Sequence, residues 1–336
     1  MLPSFLHLGG TLTVSLALGL YLTPIIRKGA LRFGVLDAPD GRLKRQHEPV
    51  PYLGGIAVYL AFLLTLAVIF PLDHHFLGLL LGGTLMAMLG LFDDMKVLPV
   101  GAKLWGQLLA ALVLIRSDIS IQLEILPHWL AVPLTVAWLV GVTNAVNILD
   151  VSDGLAAATS IVAALGLCII AVLGGQLLIA TTALALLGSL AGFLWFNRPP
   201  ARIYLGDAGS LFVGFMLAAL TMLGAYTERN TVAALAPLAL LIVPLLELTL
   251  VSVARVRRGV RPWHGSGDHC ALRLKARAWP AARIALAAAL LGAVGAGTAI
   301  AMVLVSTAWA LALVAALVLV GLALLGLVLV RYPAPY

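Results

Sequence analysis

Apolar residues fall in eleven long runs separated by short polar or charged stretches. The runs are Phe5–Ile26, Leu53–Phe70, Phe76–Phe92, Ala102–Ile115, Trp129–Val146, Leu155–Leu173, Leu177–Phe196, Ser210–Ala225, Val232–Val253, Ile284–Val305 and Ala308–Val330. A hydrocarbon core about 30 Å thick is crossed by about 20 helical residues. Each run is therefore predicted to be a membrane-spanning helix, with Ala102–Ile115 the shortest. No internal repeat is evident, which counts against a transporter built from duplicated halves.

The loops give these helices a direction. With the N-terminus outside, nineteen of the 21 Lys and Arg residues lie in inside loops or the C-terminal tail, and only Arg116 and Arg229 lie outside. Basic residues concentrate on the cytoplasmic side of membrane proteins, so eleven spans, an outer N-terminus and an inner C-terminus support one another. The outside connections are short. The long inside loops are 27–52 and 254–282, and residues 1–336 are predicted to form a single transmembrane domain. Composition agrees: the chain is 62% hydrophobic and 10% charged, against about 25% charged in a soluble domain. The first run is too long for a cleavable signal and no small-residue cleavage pattern follows it. A formal charge of +7 can signal nucleic acid, but here the basic residues sit in loops between spans, where orientation and anionic lipid or nucleotide phosphate account for them. No nucleic-acid partner is expected. Cys168 lies inside an apolar run and Cys270 in a basic loop, so no disulfide is expected between them.

Against this background the carboxylates stand out, because each group sits at the inside end of a run. Asp93 and Asp94 follow the third. Adjacent carboxylates there repel one another and resist desolvation; they serve as a polar helix stop or as a metal ligand paired with a base. Asn144, Asn147 and Asp150 recur every three residues at the end of the fifth run and share roughly one helix face. Asp153 follows, where it caps the next helix or joins the same site. Asp207 lies between Gly206 and Gly209 before the eighth run, either as an ordinary turn residue or at a helix start suited to phosphate. The loop Trp263-His264-Gly265-Ser266-Gly267-Asp268-His269-Cys270-Ala271-Leu272-Arg273 offers a phosphate nest with imidazole and guanidinium groups; its spacing matches no standard zinc pattern. Lys44 and His47 end the first inside loop, near lipid headgroups or near substrate. Glu247 lies within the ninth run, where a carboxylate is costly and usually functional or paired; Arg255 and Arg258 are too far along the helix to pair closely with it.

Taken together, the segment Lys44–Gly55, the three acidic motifs in this order and the Asp268-His269 loop resemble the polyprenyl-phosphate N-acetylhexosamine-1-phosphate transferases, relatives of the phospho-N-acetylmuramoyl-pentapeptide transferase. The resemblance implies an all-α polytopic integral membrane protein with a cytoplasmic active-site cleft, in the bacterial inner membrane. It implies transfer of a sugar-1-phosphate from a UDP-N-acetylhexosamine to undecaprenyl phosphate, with release of UMP, at the start of a cell-envelope glycan such as O-antigen. Mg²⁺ is the implied cofactor, with Mn²⁺ as its substitute, and a homodimer the implied assembly. By the same resemblance Asp93, Asp94 and Asp207 are catalytic, with Asp94 and Asp207 on the metal. Lys44, His47, Asn147, Asp150, Asp153 and His269 contact substrate, and Asn144, from its shared helix face, and His264, Asp268 and Arg273, from the chemistry of their loop, are expected to join them. Two departures are visible. The family's Asp-Gly-x-Asp-Gly is Asp150-Val151-Ser152-Asp153-Gly154 here, and its run of histidines is reduced to His269 followed by Cys270, Ala271 and Leu272. The competing expectations are a catalytically lapsed scaffold, suggested by the lost histidines, and a transporter, suggested by Glu247.

Overall fold

The structure, a computed structural model, describes residues 2–37, 49–69, 74–122, 127–261, 263 and 265–332. Lys44, His47 and His264 lie outside the described residues. In chain order the elements are α1 (Leu2–Phe33), β1 (Leu36–Asp37), β2 (Val50–Pro51), α2 (Gly54–Ile69), α3 (His74–Met95), α4 (Val100–Arg116), α5 (His128–Leu149), α6 (Leu155–Leu173), α7 (Leu177–Asn197) and α8 (Gly206–Leu223). A 3-10 turn at Thr231–Leu235 leads into α9 (Ala236–Leu240), α10 (Ile242–Arg257), α11 (Cys270–Lys275), α12 (Ala281–Leu304) and α13 (Thr307–Arg331). The protein is an all-α polytopic membrane protein. The one departure from all-α among the described residues is a two-residue antiparallel pair, Leu36 with Pro51 and Asp37 with Val50.

Each apolar run becomes helix, but not each reaches the length of a straight, full span. Among the described residues, eight helices are long and apolar enough to cross a membrane, and nine if the bent pair Thr231–Leu240 and Ile242–Arg257 counts as one. The helices α2 and α4 have 16 and 17 residues, about 24–26 Å at 1.5 Å per residue, short of a 30 Å core. The run Val232–Val253, expected as one continuous span, is instead bent by 71°. Pro244 explains the break: it has no N–H to give the carbonyl of Leu240, and its ring crowds that carbonyl, so the helix cannot run through Leu241.

At the centre stands α8, buried continuously from Ala208 to Thr221. It packs on α3, α5 and α2, and Phe212 meets Tyr59 and Phe62 edge-on at 5.4 Å. By contrast α13 is apolar on every face yet buries only Ala310 and Gly321, the pattern of a helix whose solvent is lipid. The turn before α8 ties two helix starts together. Tyr204 donates its N–H to Pro51 O at 2.8 Å, and the carbonyls of Tyr204 and Leu205 accept from Gly54 and Gly55 at 2.9 and 2.8 Å. Two of the free N–H groups at the start of α2 are satisfied in this way.

Candidate functional site

Chain order alternates the ends of the bundle, so the connections α3–α4, α5–α6, α7–α8 and α10–α12 all emerge at one end. That end carries every acidic motif. Asp94, in the last turn of α3, accepts from the N–H groups of Asp207 at 2.8 Å and Ala208 at 3.0 Å. It thereby caps α8 from a neighbouring helix, where free N–H groups and the helix dipole favour an anion. Two glycines make the approach feasible. A Cβ on Gly90 would collide with the backbone of Asp207, and Gly206 has φ of +73° with Asp94 at 2.8 Å from where a Cβ would stand.

The neighbouring carboxylate is used differently. Asp93 is buried and accepts from Leu98 N–H at 2.7 Å. It also forms an ion pair with Lys103, from the first turn of α4, whose ammonium reaches Asp207 Oδ2 at 3.2 Å. Asp207 Oδ1 accepts from Asn147 Nδ2 at 2.7 Å, and Asn147 also donates to Ser210 Oγ at 2.9 Å. One turn deeper, Asn144 and the buried Gln107 exchange hydrogen bonds of 2.8 and 3.3 Å. A polar network satisfied in this way, among apolar helices, holds its members in one arrangement. Four helices thus place Asp93, Lys103, Asn147 and Asp207 within one hydrogen-bonded chain.

Asp150 and Asp153 flank that chain in the α5–α6 turn. Burial, and then the charges of Asp207 and Asp94, push the Asp150 carboxyl up to about 8. Asp153 Oδ2 accepts from Ala201 N–H at 3.1 Å, and Gly154 donates to Asn197 Oδ1 at 3.0 Å. The phenol of Tyr204 is pushed up to about 12, by burial first and then by Asp153, Asp37 and Asp150.

The basic loop reaches the same turn through α11. Burial pulls the Lys275 ammonium below its ordinary value while the charge of Asp153 opposes the change. Ala271 and Leu274 pack on Leu149 and Leu155, the residues on either side of the acidic turn. Behind them lies a cavity of about 320 Å³, walled by Leu149, Leu155, Leu246, Leu274 and Leu325, with Glu247 and Cys270 at its wall. Polar groups at the bundle end and an apolar cavity inside it are therefore adjacent.

Of the residues expected from sequence, Asp93, Asp94, Asn144, Asn147, Asp150, Asp153 and Asp207 are brought together. Asp268 and Arg273 face each other instead of open space. Asp268 is fully buried and bonded to both Arg258 and Arg273, and Arg273 also donates to Asp268 O at 2.8 Å and Tyr332 O at 2.7 Å. Sequence reasoning did not single out Lys103, Gln107, Ser210 or Asn197. A lone lysine in the first turn of an otherwise apolar run was the available signal for Lys103. Both cysteines are free thiols.

The donor set suits a hard divalent cation. Among the described residues no three His, Cys, Asp or Glu side chains gather as a ready cage. Asp93 and Asp207 do share a cation already, the Lys103 ammonium. An ion such as Mg²⁺ needs only one or two carboxylates when phosphate and water oxygens complete its shell.

Comparison with known proteins is consistent with this geometry. Residues 76–225 match the model of "Glycosyl transferase family 4", the stretch from α3 to just beyond α8. A probable undecaprenyl-phosphate N-acetylglucosaminyl 1-phosphate transferase of Bacillus subtilis is 32% identical over 72% of this chain and 70% of its own. A decaprenyl-phosphate N-acetylglucosaminephosphotransferase of Mycolicibacterium smegmatis is 31% identical over 76% and 72%. A phospho-N-acetylmuramoyl-pentapeptide-transferase of Heliobacterium modesticaldum is 34% identical over 62% and 71%.

Proposed function

The chain belongs to glycosyl transferase family 4, and from that premise we propose that it moves a sugar-1-phosphate, an N-acetylhexosamine-1-phosphate, from a UDP-sugar to undecaprenyl phosphate at the cytoplasmic face of the bacterial inner membrane. An oxygen of the lipid phosphate attacks the sugar-bearing phosphorus, and the bridging oxygen leaves with UMP. The product is a lipid-linked sugar that starts an envelope glycan such as O-antigen. One observation carries the reading: Asp93, Lys103, Asn147 and Asp207 form one chain of contacts at a bundle end that borders an apolar cavity. A lipid-anchored phosphate needs both halves.

The residues then divide the work. The cavity behind Leu149 and Leu155 takes the first isoprene units of the lipid, leaving its phosphate beside the acidic turn. Asp93 accepts the proton of the lipid phosphate. The Lys103 ammonium offsets charge developing on the diphosphate, in a setting where fixed charges act strongly. Asp207 would hold Mg²⁺, or Mn²⁺ in its place, which when bound would neutralise phosphate oxygens, while Asp94 caps the helix start that carries Asp207. Asn147 fixes the rotamer of Asp207, and the α5–α6 turn with Asp150 and Asp153, together with His269, faces the nucleotide-sugar. The basic loops support eleven membrane-crossing segments with the N-terminus outside and the C-terminus inside, α2, α4 and the bent pair included.

The test is UMP release by the purified protein in nanodiscs containing undecaprenyl phosphate, with Mg²⁺ and a panel of UDP-sugars. UMP appears with a UDP-N-acetylhexosamine, and Asp93→Asn and Asp207→Asn abolish it. Full turnover in both variants overturns the assignment.

A further inference from the structure

Glu247 is the one carboxylate among the described residues that lies well inside an apolar helical run, and the acidic site does not include it. It sits in α10, just past the bend, with 5% of its surface exposed. A carboxylate at such a position is costly unless partnered. Its partners come from the loop: His269 Nδ1 at 3.2 Å, and the N–H of Cys270 at 3.1 Å to Oε1 and 3.4 Å to Oε2. On the other side of His269, Asp268 is locked to Arg258 and Arg273. The imidazole is thus held from both flanks, and its side chain remains 10% exposed.

A carboxylate can only accept hydrogen bonds. The ring nitrogen that faces it must then carry the proton, which leaves Nε2 as the nitrogen open to other partners. We propose that Glu247 is a positioning residue: by accepting from Nδ1 it fixes the tautomer and orientation of His269, so that Nε2 is presented to the phosphate or hydroxyl groups of the nucleotide-sugar. The proposal rests on the transferase reading of the site. It also explains how His269, followed by Cys270, Ala271 and Leu272 in place of further histidines, keeps a defined orientation. The order comes from a carboxylate buried in the membrane rather than from neighbouring histidines.

Two measurements test it, one of them independent of turnover. The chain has seven histidines, so a ¹⁵N-histidine spectrum of the protein in nanodiscs, compared with His269→Gln, identifies the His269 signals and their tautomer. Nδ1–H is expected in the wild type, with loss of that preference in Glu247→Ala. A wild-type His269 protonated only on Nε2, or exchanging freely between tautomers, overturns the proposal. In the UMP assay, Glu247→Ala and His269→Ala each lower kcat by about 10–100-fold, the scale known for carboxylate partners that orient metal-bound histidines. The double variant is no slower than the slower single one. Glu247→Gln, whose amide oxygen still accepts from Nδ1–H, recovers most of what Glu247→Ala loses. Losses that multiply in the double variant, or wild-type kcat in Glu247→Ala, overturn the proposal. If Glu247→Ala does not fold, the spectra of the wild type and Glu247→Gln decide: Nδ1–H in both supports it, and Nε2–H in either overturns it. Should the wild type release no UMP, the transferase reading fails while the spectra still decide the role of Glu247.

Discussion

Replacing Asp94 by Asn separates a helix cap from a metal ligand. Two N–H groups, from Asp207 and Ala208, converge on the two oxygens of Asp94. Asparagine offers one oxygen; its NH₂ group must face the second N–H, donor against donor. A hydrogen bond to a charged acceptor contributes about 1.5–3 kcal/mol and an unsatisfied buried donor costs about 1–3 kcal/mol. Asp94 is only half-buried, and solvent reduces both terms, so a net loss of about 2 kcal/mol is expected. With tenfold per 1.4 kcal/mol, the docked start of α8 loses roughly thirtyfold against a displaced one, and Asp207 moves with it. The readouts are kcat for UMP release across a Mg²⁺ titration and the thermal midpoint in EDTA. The expected result is a lower midpoint without metal and a rate defect that extra Mg²⁺ does not repair. A wild-type midpoint in EDTA, together with a rate restored by raised Mg²⁺, would refute the capping argument and favour direct ligation.

The remaining predictions concern neighbouring groups. Lys103→Met leaves Asp93 and Asp207 facing each other without their shared cation, and kcat should fall by at least about a hundredfold, the scale of losing one fixed transition-state charge; unchanged turnover would show that the ammonium is only structural. Gly90→Val puts side-chain atoms into the Asp207 backbone, so kcat should drop on the order of tenfold or more in protein that still reaches the membrane, while Gly29→Val, with open space around it, should be silent in the same assay. Burial first, and then Glu247, push the Cys270 thiol up to about 12. At pH 8 its thiolate fraction is then on the order of a thousandfold below that of a free cysteine with pKa near 8.5, so iodoacetamide should label it slowly in a Cys168→Ala background, with the rate rising toward high pH; fast labelling at pH 8 would contradict the buried placement.

The membrane architecture was legible because lipid imposes a coarse rule: long apolar runs must be helices. The acidic motifs were legible because carboxylates directly at span ends are few among the basic residues. Pro244 was visible, but whether it kinks or breaks a helix depends on what surrounds it, so the bend between α9 and α10 could not be foreseen from the run alone. The shortness of α4 was visible in its run, Ala102–Ile115, the shortest of the eleven, whereas that of α2 was not, because the ends of apolar runs do not mark where a helix stops. Within the site, spacing put Asn144, Asn147 and Asp150 on one face of α5, yet nothing local says that Asn144 turns to Gln107 while Asn147 turns to Asp207. Lys103 was hidden because it looked like one more basic loop residue. Its meaning comes from α4 standing beside α3 and α8, a relation of tertiary packing. Asp268 and Arg273 show the converse, since residues of binding chemistry become internal struts once Tyr332 O is within reach.

The cavity behind Leu149 and Leu155 has a kinetic corollary. Under the proposed transfer, a site walled on one side by spanning helices, and open at their ends to water, draws its two reactants from phases of different dimensionality. The nucleotide-sugar is counted in moles per litre. The lipid is counted as a fraction of the bilayer. Adding inert phospholipid at constant total polyprenyl phosphate should therefore slow the reaction as if acceptor had been removed, although no bulk concentration has changed; saturation curves for the acceptor acquire meaning only when plotted against surface mole fraction.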